Sequence, residues 1–308
     1  VFSDLNNLTD ISMDHRYISI CGMTEKELLT NFKEGISELA EANGDTEEAT
    51  IAKLKARYDG YHFEENTVGI YNPFSVLNTL SRLRYKDYWF ETGTPTFLVD
   101  LLKMHNYRLP DMTKEKVSDD VINSVDSLST NPIPVIYQSG YLTIKGYDER
   151  FKKYLLGFPN KEVEEGFLNF LLPLYCSAGD RSAFMVDEFV KDVEAGHVEQ
   201  FMNRLTAFFA DNSYKVAGEA ELYFQNALYL IFKIMGFHTQ VEIPTSDGRM
   251  DVLIQTSDYI YIIECKLDGS AEEALQQIEV KNYAAPFDMD KRTAVKLGIN
   301  FSSKTRGV

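Results

Sequence analysis

The sequence has no long run of apolar residues and little cysteine. Its longest apolar stretches, such as residues 227–231, are far shorter than the roughly 20 residues that a membrane-spanning helix requires, so we expect no membrane span. The chain has 308 residues and only three cysteines, which are odd in number and far apart. That usage argues against a disulfide framework or a zinc knuckle and is typical of a reducing cytosol, so we expect a cytoplasmic protein.

Basic side chains are too few to balance the acidic ones. The chain carries 31 Lys and Arg against 47 Asp and Glu, a formal net charge of −16, whereas proteins that bind polyphosphate by neutralising it usually carry a positive charge. From Lys215 onward, however, 10 basic and 13 acidic residues give a net charge of only −3. The stretch from residue 291 holds basic residues and no acidic one, which predicts a phosphate-facing edge. These residues are Lys291, Arg292, Lys296, Lys304 and Arg306.

Three signatures of catalytic and nucleotide-binding sites are absent. The five histidines show no H-E-x-x-H spacing, and there is no G-x-S-x-G segment. The G-x-x-x-x-G-K-[S/T] phosphate loop is absent as well, so we expect no ATP site in this chain. Because the chain begins with Val, we expect it to be part of a longer protein.

The first third of the chain carries several helix-start signals. Thr24 with Glu27 three positions later forms a capping box, and Asn72 and Thr94 each precede a proline at a first helical position. The predicted helices cover residues 28–39, 73–84 and 95–105. Two aromatic segments broken by glycine, residues 58–63 and 68–71, are more typical of loop and short strand. We expect the aromatic rings around residues 58–61 and 71–74 to anchor the core and the loops rather than to form a base-stacking platform.

A β-rich sequence follows Pro132. Two apolar runs, residues 135–145 and 154–159, flank a polar turn and predict a β-hairpin. The hairpin fits either the wing of a winged-helix fold, which often contacts nucleic acid, or a packing element, and both alternatives stay open. Asn160 then caps a helix with an acidic first turn, and residues 211–213 form the clearest linker.

The residues after that linker predict a separate module of helices and strands. An apolar helix is expected over residues 219–235, and a capping box of Ser270 with Glu273 starts a second helix. Four strands complete the order α-β-β-β-α-β, at residues 239–243, 249–255, 259–267 and 295–301.

Two acidic residues are predicted to face each other within this module. If the strands on either side of Ser257 and Asp258 form a hairpin, Asp251 lies directly opposite Glu264, with Cβ atoms roughly 5 Å apart. Two like charges this close are unfavourable unless a cation or a proton lies between them. Both carboxylates, with the backbone carbonyl of Cys265, offer the hard oxygen ligands that Mg²⁺ prefers.

Other side chains could complete a hydrolytic site. Lys266 lies on the same sheet face as Glu264 and could orient a water molecule or offset charge on a pentavalent phosphorus transition state. Glu221 adds an acid on a helix face expected to point toward the sheet. Gln277 and Lys281 share a face of the second helix, where they either reach a phosphate or Lys266, or face solvent. The simpler alternative is a surface hairpin with a cross-strand salt bridge, in which Glu221 is only a first-turn acid.

At these residues the chain resembles the PD-(D/E)XK nuclease superfamily. Its core is α-β-β-β-α-β with an Asp, a Glu-x-Lys and often a helical Gln, which here are Asp251, Glu264 with Lys266, and Gln277. The chain is similar in particular to bacterial proteins that pair an AAA-ATPase-like domain with such a domain, and this resemblance covers nearly the whole chain. Its upstream motifs include Tyr58-Asp59-Gly60-Tyr61, Tyr71-Asn72-Pro73-Phe74-Ser75, Glu91-Thr92-Gly93-Thr94-Pro95 and Tyr137-Gln138-Ser139-Gly140-Tyr141-Leu142.

The resemblance implies metal-dependent phosphodiester hydrolysis of nucleic acid, with DNA preferred to RNA. The implied ligands of Mg²⁺ or Mn²⁺ are Asp251, Glu264, the Cys265 carbonyl and Glu221, and the implied catalytic residues are Asp251, Glu264, Lys266, Glu221 and Gln277. The alternative function is a catalytically silent nuclease-fold module that binds nucleic acid or protein and regulates or partners an ATPase.

The expected fold class is mixed α+β, with a helix-rich N-terminal region and a restriction-endonuclease-like C-terminal domain. Residues 1–160 are expected to be the C-terminal part of the ATPase-like region, residues 161–213 a helical connector and residues 214–308 the nuclease-like domain. The nucleotide-binding core that the family carries would then precede this chain in the same polypeptide. Whether the protein forms a homo-oligomer is left open.

Overall fold

A computed structural model describes residues 11–92, 96–122, 131–175, 182–210, 217–236, 238, 240–242, 245–246, 249–302 and 308. The chain divides into two compact units: Val1–Tyr107 with Asp111–Phe167, and Arg108–Pro110 with Leu168–Val308. The division after Phe167 lies inside a helix, and the three domains expected from the sequence stay a prediction. Within the described residues, no helix combines the length and apolar character needed to cross a bilayer.

Helices α1, α3 and α4 of the first unit, whose bounds are given below, begin at residues with capping side chains. Thr24 and Glu27 form the predicted capping box, and Asn72 accepts backbone N–H bonds from the first turn of the helix that starts at Pro73. The start predicted at Thr94 lies outside the described residues. The helices are α1 (Glu25–Asn31), α2 (Lys33–Asn43), α3 (Glu47–Tyr58), α4 (Pro73–Arg82), α5 (Thr96–Met104), α6 (Asp119–Ile122), α7 (Ile133–Gln138) and α8 (Lys161–Leu171).

Residues 28–39 were expected to form one helix and instead belong to α1 and α2. Phe32 adopts φ −122° and ψ 24°, outside the α-helical region, so the helix is interrupted there. After this break, α2 packs against α3 and α4. Tyr58 and Tyr71 lie in the resulting core, as the anchor interpretation predicts. The buried core residues are Leu28, Ile36, Leu39, Leu54, Tyr58, Tyr71, Val76 and Leu80.

A three-stranded antiparallel sheet follows in the first unit. Its strands are β1 (Lys116–Val117), β2 (Thr143–Asp148) and β3 (Lys153–Gly157), in the order β1-β3-β2. Strands β2 and β3 confirm the predicted turn and its two flanking strands, and Tyr147 pairs with Tyr154 across them, with ring centroids 4.8 Å apart. The β-rich prediction is wrong for residues 135–137, which lie in α7, a helix with a proline in its first turn. Whether this hairpin acts as a nucleic-acid-binding wing stays a prediction.

A buried carboxyl group joins three segments of the first unit. Glu162, in the first turn of α8, is fully buried, and its Oε1 accepts hydrogen bonds from Ser75 Oγ at 2.9 Å and from the backbone N–H of Trp89 at 3.0 Å. Its Oε2 has no hydrogen-bond partner among the described residues. Burial raises the pKa of Glu162 to about 7 although both hydrogen bonds oppose the shift. This carboxyl group therefore titrates near neutral pH rather than in acid.

The second unit contains a mixed sheet between helices. Its helices are α9 (Ser182–Glu194), α10 (Val198–Ala210), α11 (Ala217–Met235) and α12 (Ala271–Val280). Its strands are β4 (Gln240–Glu242), β5 (Thr245–Ser246), β6 (Arg249–Gln255), β7 (Tyr259–Leu267) and β8 (Thr293–Phe301). The sheet order is β4-β6-β7-β8, with β5 also paired to β6. The predicted α-β-β-β-α-β order is present as α11, β4, β6, β7, α12 and β8, and the two-residue β5 is an addition.

Strand β7 is central and covered on both faces. Ile260 and Ile262 pack with Ile278 of α12 on one face. On the other face, the Tyr261 hydroxyl donates to the backbone oxygen of Val193 in α9 at 2.8 Å. Because side chains alternate along a strand, Glu264 and Lys266 continue the face under α12 and Cys265 belongs to the face with Tyr261.

Candidate functional site

The register of β6 and β7 brings two predicted site residues together. The strands are antiparallel, and Asp251 is the Cα partner of Glu264, as the sequence spacing predicts. The side chain of Asp251 lies outside the described part of the structure. The backbone alone therefore places these two acidic residues at neighbouring positions of the sheet, and the role of Asp251 stays a prediction.

Glu264 is a fully buried carboxylate with an incomplete set of partners. Its Oε1 lies 2.9 Å from Lys266 Nζ. Its Oε2 is buried and has no hydrogen-bond partner among the described residues. A buried carboxylate oxygen without a partner costs free energy, because it has lost its water without replacement. That oxygen is suited to accept a cation or a hydrogen-bond donor.

Lys266 is held from two sides. Its Nζ lies 2.9 Å from Glu264 Oε1 and donates to Gln277 Oε1 at 2.5 Å, and only 18% of its side chain is exposed. The Gln277 amide nitrogen, Nε2, is buried without a partner among the described residues. Gln277 thus reaches the lysine, and the solvent-facing alternative is wrong for this residue. Lys281, one turn further on, is exposed and fits the solvent-facing alternative.

A glycine in β8 sets how closely α12 approaches the sheet. Gly298 of β8 is the parallel-strand partner of Glu264. A Cβ atom at this position would lie 2.2 Å from the backbone oxygen of Ala271 and 2.9 Å from the backbone nitrogen of Leu275, both in α12. Only glycine fits this approach, which brings Gln277 within reach of Lys266. An isolated glycine in an alternating apolar strand is the signal that could have identified it.

The start of α12 is fixed by local hydrogen bonds. Ser270 and Glu273 form the predicted capping box, and the backbone N–H of Gly269 donates to Asn300 Oδ1 of β8 at 3.0 Å. These bonds hold the turn between β7 and α12 against the neighbouring strand. The helix that carries Gln277 is therefore anchored at its first turn as well as at Gly298.

Glu221 lies in α11, but its side chain is outside the described part of the structure. On the same helix, Phe224 and Leu228 are buried, so the face on which the sequence placed Glu221 does pack inward. Whether its carboxylate joins those of Asp251 and Glu264 stays a prediction. The predicted ligand role of the Cys265 carbonyl also stays a prediction.

One described oxygen of the predicted donor set suits a hard divalent cation. Among the described side chains, no group of three His, Cys, Asp or Glu residues is placed to hold a metal ion. The predicted set, however, includes Asp251 and Glu221, whose side chains are not described. Within the described part, the partner-free Oε2 of Glu264 is the kind of oxygen that Mg²⁺ or Mn²⁺ would bind. The residues present are therefore compatible with the predicted metal.

The predicted phosphate-facing edge differs in the structure. Arg292 forms an ion pair with Asp290, with Nη2 and Oδ2 2.7 Å apart. Lys296 pairs with Glu279, with Nζ and Oε1 2.8 Å apart. Because nearby acids already balance both charges, the structure does not support a phosphate-facing edge at these two residues. Outside the described residues lie Lys304 and Arg306.

Comparisons with known proteins address the second unit most directly. Residues 219–308 match the family model described as the PD-(D/E)XK nuclease superfamily. The matched region contains Glu221, Asp251, Glu264, Lys266 and Gln277.

A relative in Azotobacter chroococcum mcd 1, named "Uncharacterized protein in vnfD 5'region", is 31% identical over 318 residues, covering 100% of this chain and 59% of the relative. The chain thus spans less than two thirds of that protein's length. No solved structure matches the chain. Together with the strand order and the Asp251–Glu264 register, the family match identifies residues 219–308 as a domain of the PD-(D/E)XK nuclease superfamily.

Proposed function

We propose that the domain at residues 219–308 hydrolyses phosphodiester bonds of nucleic acid, with DNA as the preferred substrate and Mg²⁺ or Mn²⁺ as the cofactor. The observation that carries the proposal is the position of Lys266. Its Nζ is fixed between Glu264 and Gln277, next to the strand position that Asp251 occupies. The alternative, a surface salt bridge, does not explain why Glu264 is fully buried or why Lys266 has a second partner, Gln277, on a helix.

Each of the predicted site residues would have a separate role in the hydrolysis. Asp251, Glu264, the Cys265 carbonyl and Glu221 would hold the ion, which when bound polarises a phosphoryl oxygen and helps to generate hydroxide. Lys266 supplies a fixed positive charge where negative charge develops on the phosphoryl group. Hydrolysis then adds a water oxygen to phosphorus and breaks one P–O bond, and the leaving oxygen takes a proton.

Gln277 has two roles in this proposal. Its Oε1 accepts from Lys266 and so fixes the direction of the ammonium group. Its Nε2, buried and without a partner among the described residues, can donate to a phosphate oxygen. A substrate phosphate would thereby satisfy a donor that the protein leaves open.

The net charge of the chain is compatible with a nucleic-acid substrate at this domain. The part from Lys215 onward has a net charge of only −3, and several of its acids are the proposed metal ligands. A bound divalent cation would offset part of that charge. The strong acidity of the chain lies before Lys215 and weakens the case for nucleic-acid contact there.

Nicking of supercoiled plasmid DNA tests the proposal, with single-stranded DNA and RNA as further substrates. Wild-type protein should cleave with Mg²⁺ or Mn²⁺ and not with a chelator. Asp251→Ala and Glu264→Gln should each lower the rate by more than about 100-fold. Glu272→Gln, which changes an exposed acid in the first turn of α12, is the matched control and should leave the rate unchanged.

Activity that survives Asp251→Ala, or no cleavage with any metal on any nucleic acid, would contradict the catalytic proposal. Salt-dependent nucleic-acid binding without cleavage would support the catalytically silent module instead. A stable complex with another protein, without affinity for nucleic acid, would support a role as an interaction platform.

We also propose that residues 1–160 belong to the ATPase-associated region of the same protein type, in a cytoplasmic protein. The support is the resemblance carried by the upstream motifs, together with a relative that is longer than this chain. The exposed free thiol of Cys21 is in keeping with a reducing compartment. The ATPase core would act in cis.

A further inference from the structure

The first unit contains a cavity that the proposed hydrolysis does not use. Its volume is about 710 Å³, and it forms where the segment around Tyr61, the start of α4 and the turn after α7 meet. This volume falls in the range of small-molecule sites, about 300–1,000 Å³. All residues that line the cavity belong to the first unit.

Aromatic rings form much of the cavity wall. Tyr61 and Phe63 are half-buried, and their rings are nearly parallel, with centroids 6.5 Å apart and an interplanar angle of 13°. Flat aromatic faces favour a flat ligand that can stack on them. The aromatic lining residues are Tyr61, Phe63, Tyr71, Trp89 and Tyr137. The anchor interpretation is therefore incomplete for Tyr61, which belongs to a cavity wall together with Phe63.

The described part of the cavity wall offers no charged partner to a ligand. Among the described residues that line it, none is Lys, Arg, Asp or Glu. His62 lines the cavity, but burial and the nearby charge of Lys145 lower its pKa and so favour the neutral ring. An ion bound here would lose its water without gaining a counter-charge. A ligand that suits this cavity therefore has a flat ring that carries no charge.

Two lining side chains each have an atom that can accept a hydrogen bond. His62 Nδ1 lies 3.0 Å from the backbone oxygen of Thr67, so Nδ1 carries the hydrogen, and in the neutral ring Nε2 is an acceptor. Gln138 Nε2 donates to the backbone oxygen of Ile122 at 3.0 Å, which leaves its Oε1 as an acceptor. A flat ring with a donor at its edge complements this wall.

We propose that this cavity binds an unpaired nucleobase with an exocyclic amino group, such as adenine or cytosine. Such a base is flat, uncharged at neutral pH and donates hydrogen bonds from its edge. It could come from a free nucleoside or from a single-stranded nucleic acid. The proposal does not depend on the hydrolysis proposed for the other unit.

The fluorescence of Trp89 tests the proposal directly, because Trp89 is the only tryptophan of the chain and lines the cavity. Wild-type protein is titrated, without divalent metal, with adenosine and with single-stranded oligodeoxyadenylate. At least one should change the fluorescence saturably. Purine riboside, which lacks the amino group, should bind about tenfold more weakly than adenosine if the free nucleoside binds. A response confined to the oligonucleotide would assign the base to a strand.

Phe63→Ala should weaken binding about tenfold, because a stacking face is removed. Phe151→Ala is the matched control, since Phe151 lies in the same unit, is 59% exposed and does not line the cavity. Circular dichroism shows whether both variants fold. If one variant does not fold, the affinities of wild-type protein for adenosine and for purine riboside test the proposal instead. Absence of a saturable response to both probes, equal weakening by both variants, or equal affinity for adenosine and purine riboside would overturn the proposal.

Discussion

Replacement of Gly298 by alanine tests whether the approach of α12 to the sheet controls the proposed site. The added Cβ atom would lie 2.2 Å from the Ala271 carbonyl oxygen and 2.9 Å from the Leu275 nitrogen. Both atoms are helix backbone, so no side-chain rotation relieves the overlap. To restore an ordinary contact, the helix must retreat by about 1 Å.

A shift of that size is large compared with the bond it affects. The Lys266–Gln277 hydrogen bond is 2.5 Å long, and a separation near 3.5 Å ends it. We expect Gly298→Ala to lower the free energy of unfolding by about 1–3 kcal/mol through overpacking. We also expect it to lower the plasmid-nicking rate by about 10–100-fold, because the group that positions Lys266 is lost. Denaturant unfolding and nicking kinetics measure the two effects.

Gly146→Ala is the matched control, because Gly146 also lies in a strand and a Cβ atom there would meet nothing within 4 Å. Gln277→Ala provides the comparison, since it removes the same hydrogen bond without moving the helix. Gly298→Ala should resemble Gln277→Ala in nicking rate and should be the less stable of the two. A Gly298→Ala protein as active as wild type, alongside an inactive Gln277→Ala protein, would show that the approach of α12 does not control the site.

Three further predictions concern stability. Because the pKa of Glu162 is raised to about 7 in the fold, the unfolded chain releases this proton first as pH rises. Stability should therefore fall between about pH 4.5 and pH 7, by up to roughly 3 kcal/mol, and denaturant unfolding of Glu162→Gln should lack this decline. Ser270→Ala removes the cap of α12 and should cost about 1 kcal/mol in the same assay, whereas unchanged stability would contradict the capping role. Lys266→Met leaves the buried carboxylate of Glu264 without its cation and should cost about 3 kcal/mol. Mn²⁺ should restore part of that loss in thermal unfolding, and no effect of Mn²⁺ would count against a metal at Glu264.

The fold was predictable where local chemistry decides it. The capping residues Thr24, Asn72 and Ser270 mark helix starts because a cap satisfies backbone groups only a few residues away. The break at Phe32 was not predictable, because helical periodicity continues through it. The break accompanies the packing of α2 against α3 and α4, and the local sequence pattern does not indicate which helices pack together.

The candidate site shows the same division. The pairing of Asp251 with Glu264 followed from a short turn, because few residues separate the two strands and the register is then narrowly determined. The contact between Gln277 and Lys266 depends instead on the spacing of α12 and β7. Gly298, which is far from both residues in the sequence, sets that spacing. The ion pair of Arg292 with Asp290 was not predictable either, because composition does not show which acid lies beside the arginine.

A crystal structure of the protein with Mn²⁺ is the most direct test of the central claim, that Asp251 and Glu264 hold a divalent cation. We expect an anomalous peak about 2.2 Å from Glu264 Oε2 and from a carboxylate oxygen of Asp251. Lys266 should remain beside Gln277. Crystals in saturating Mn²⁺ that show no peak between the two acids, with Lys266 still the only cation at Glu264, would contradict it.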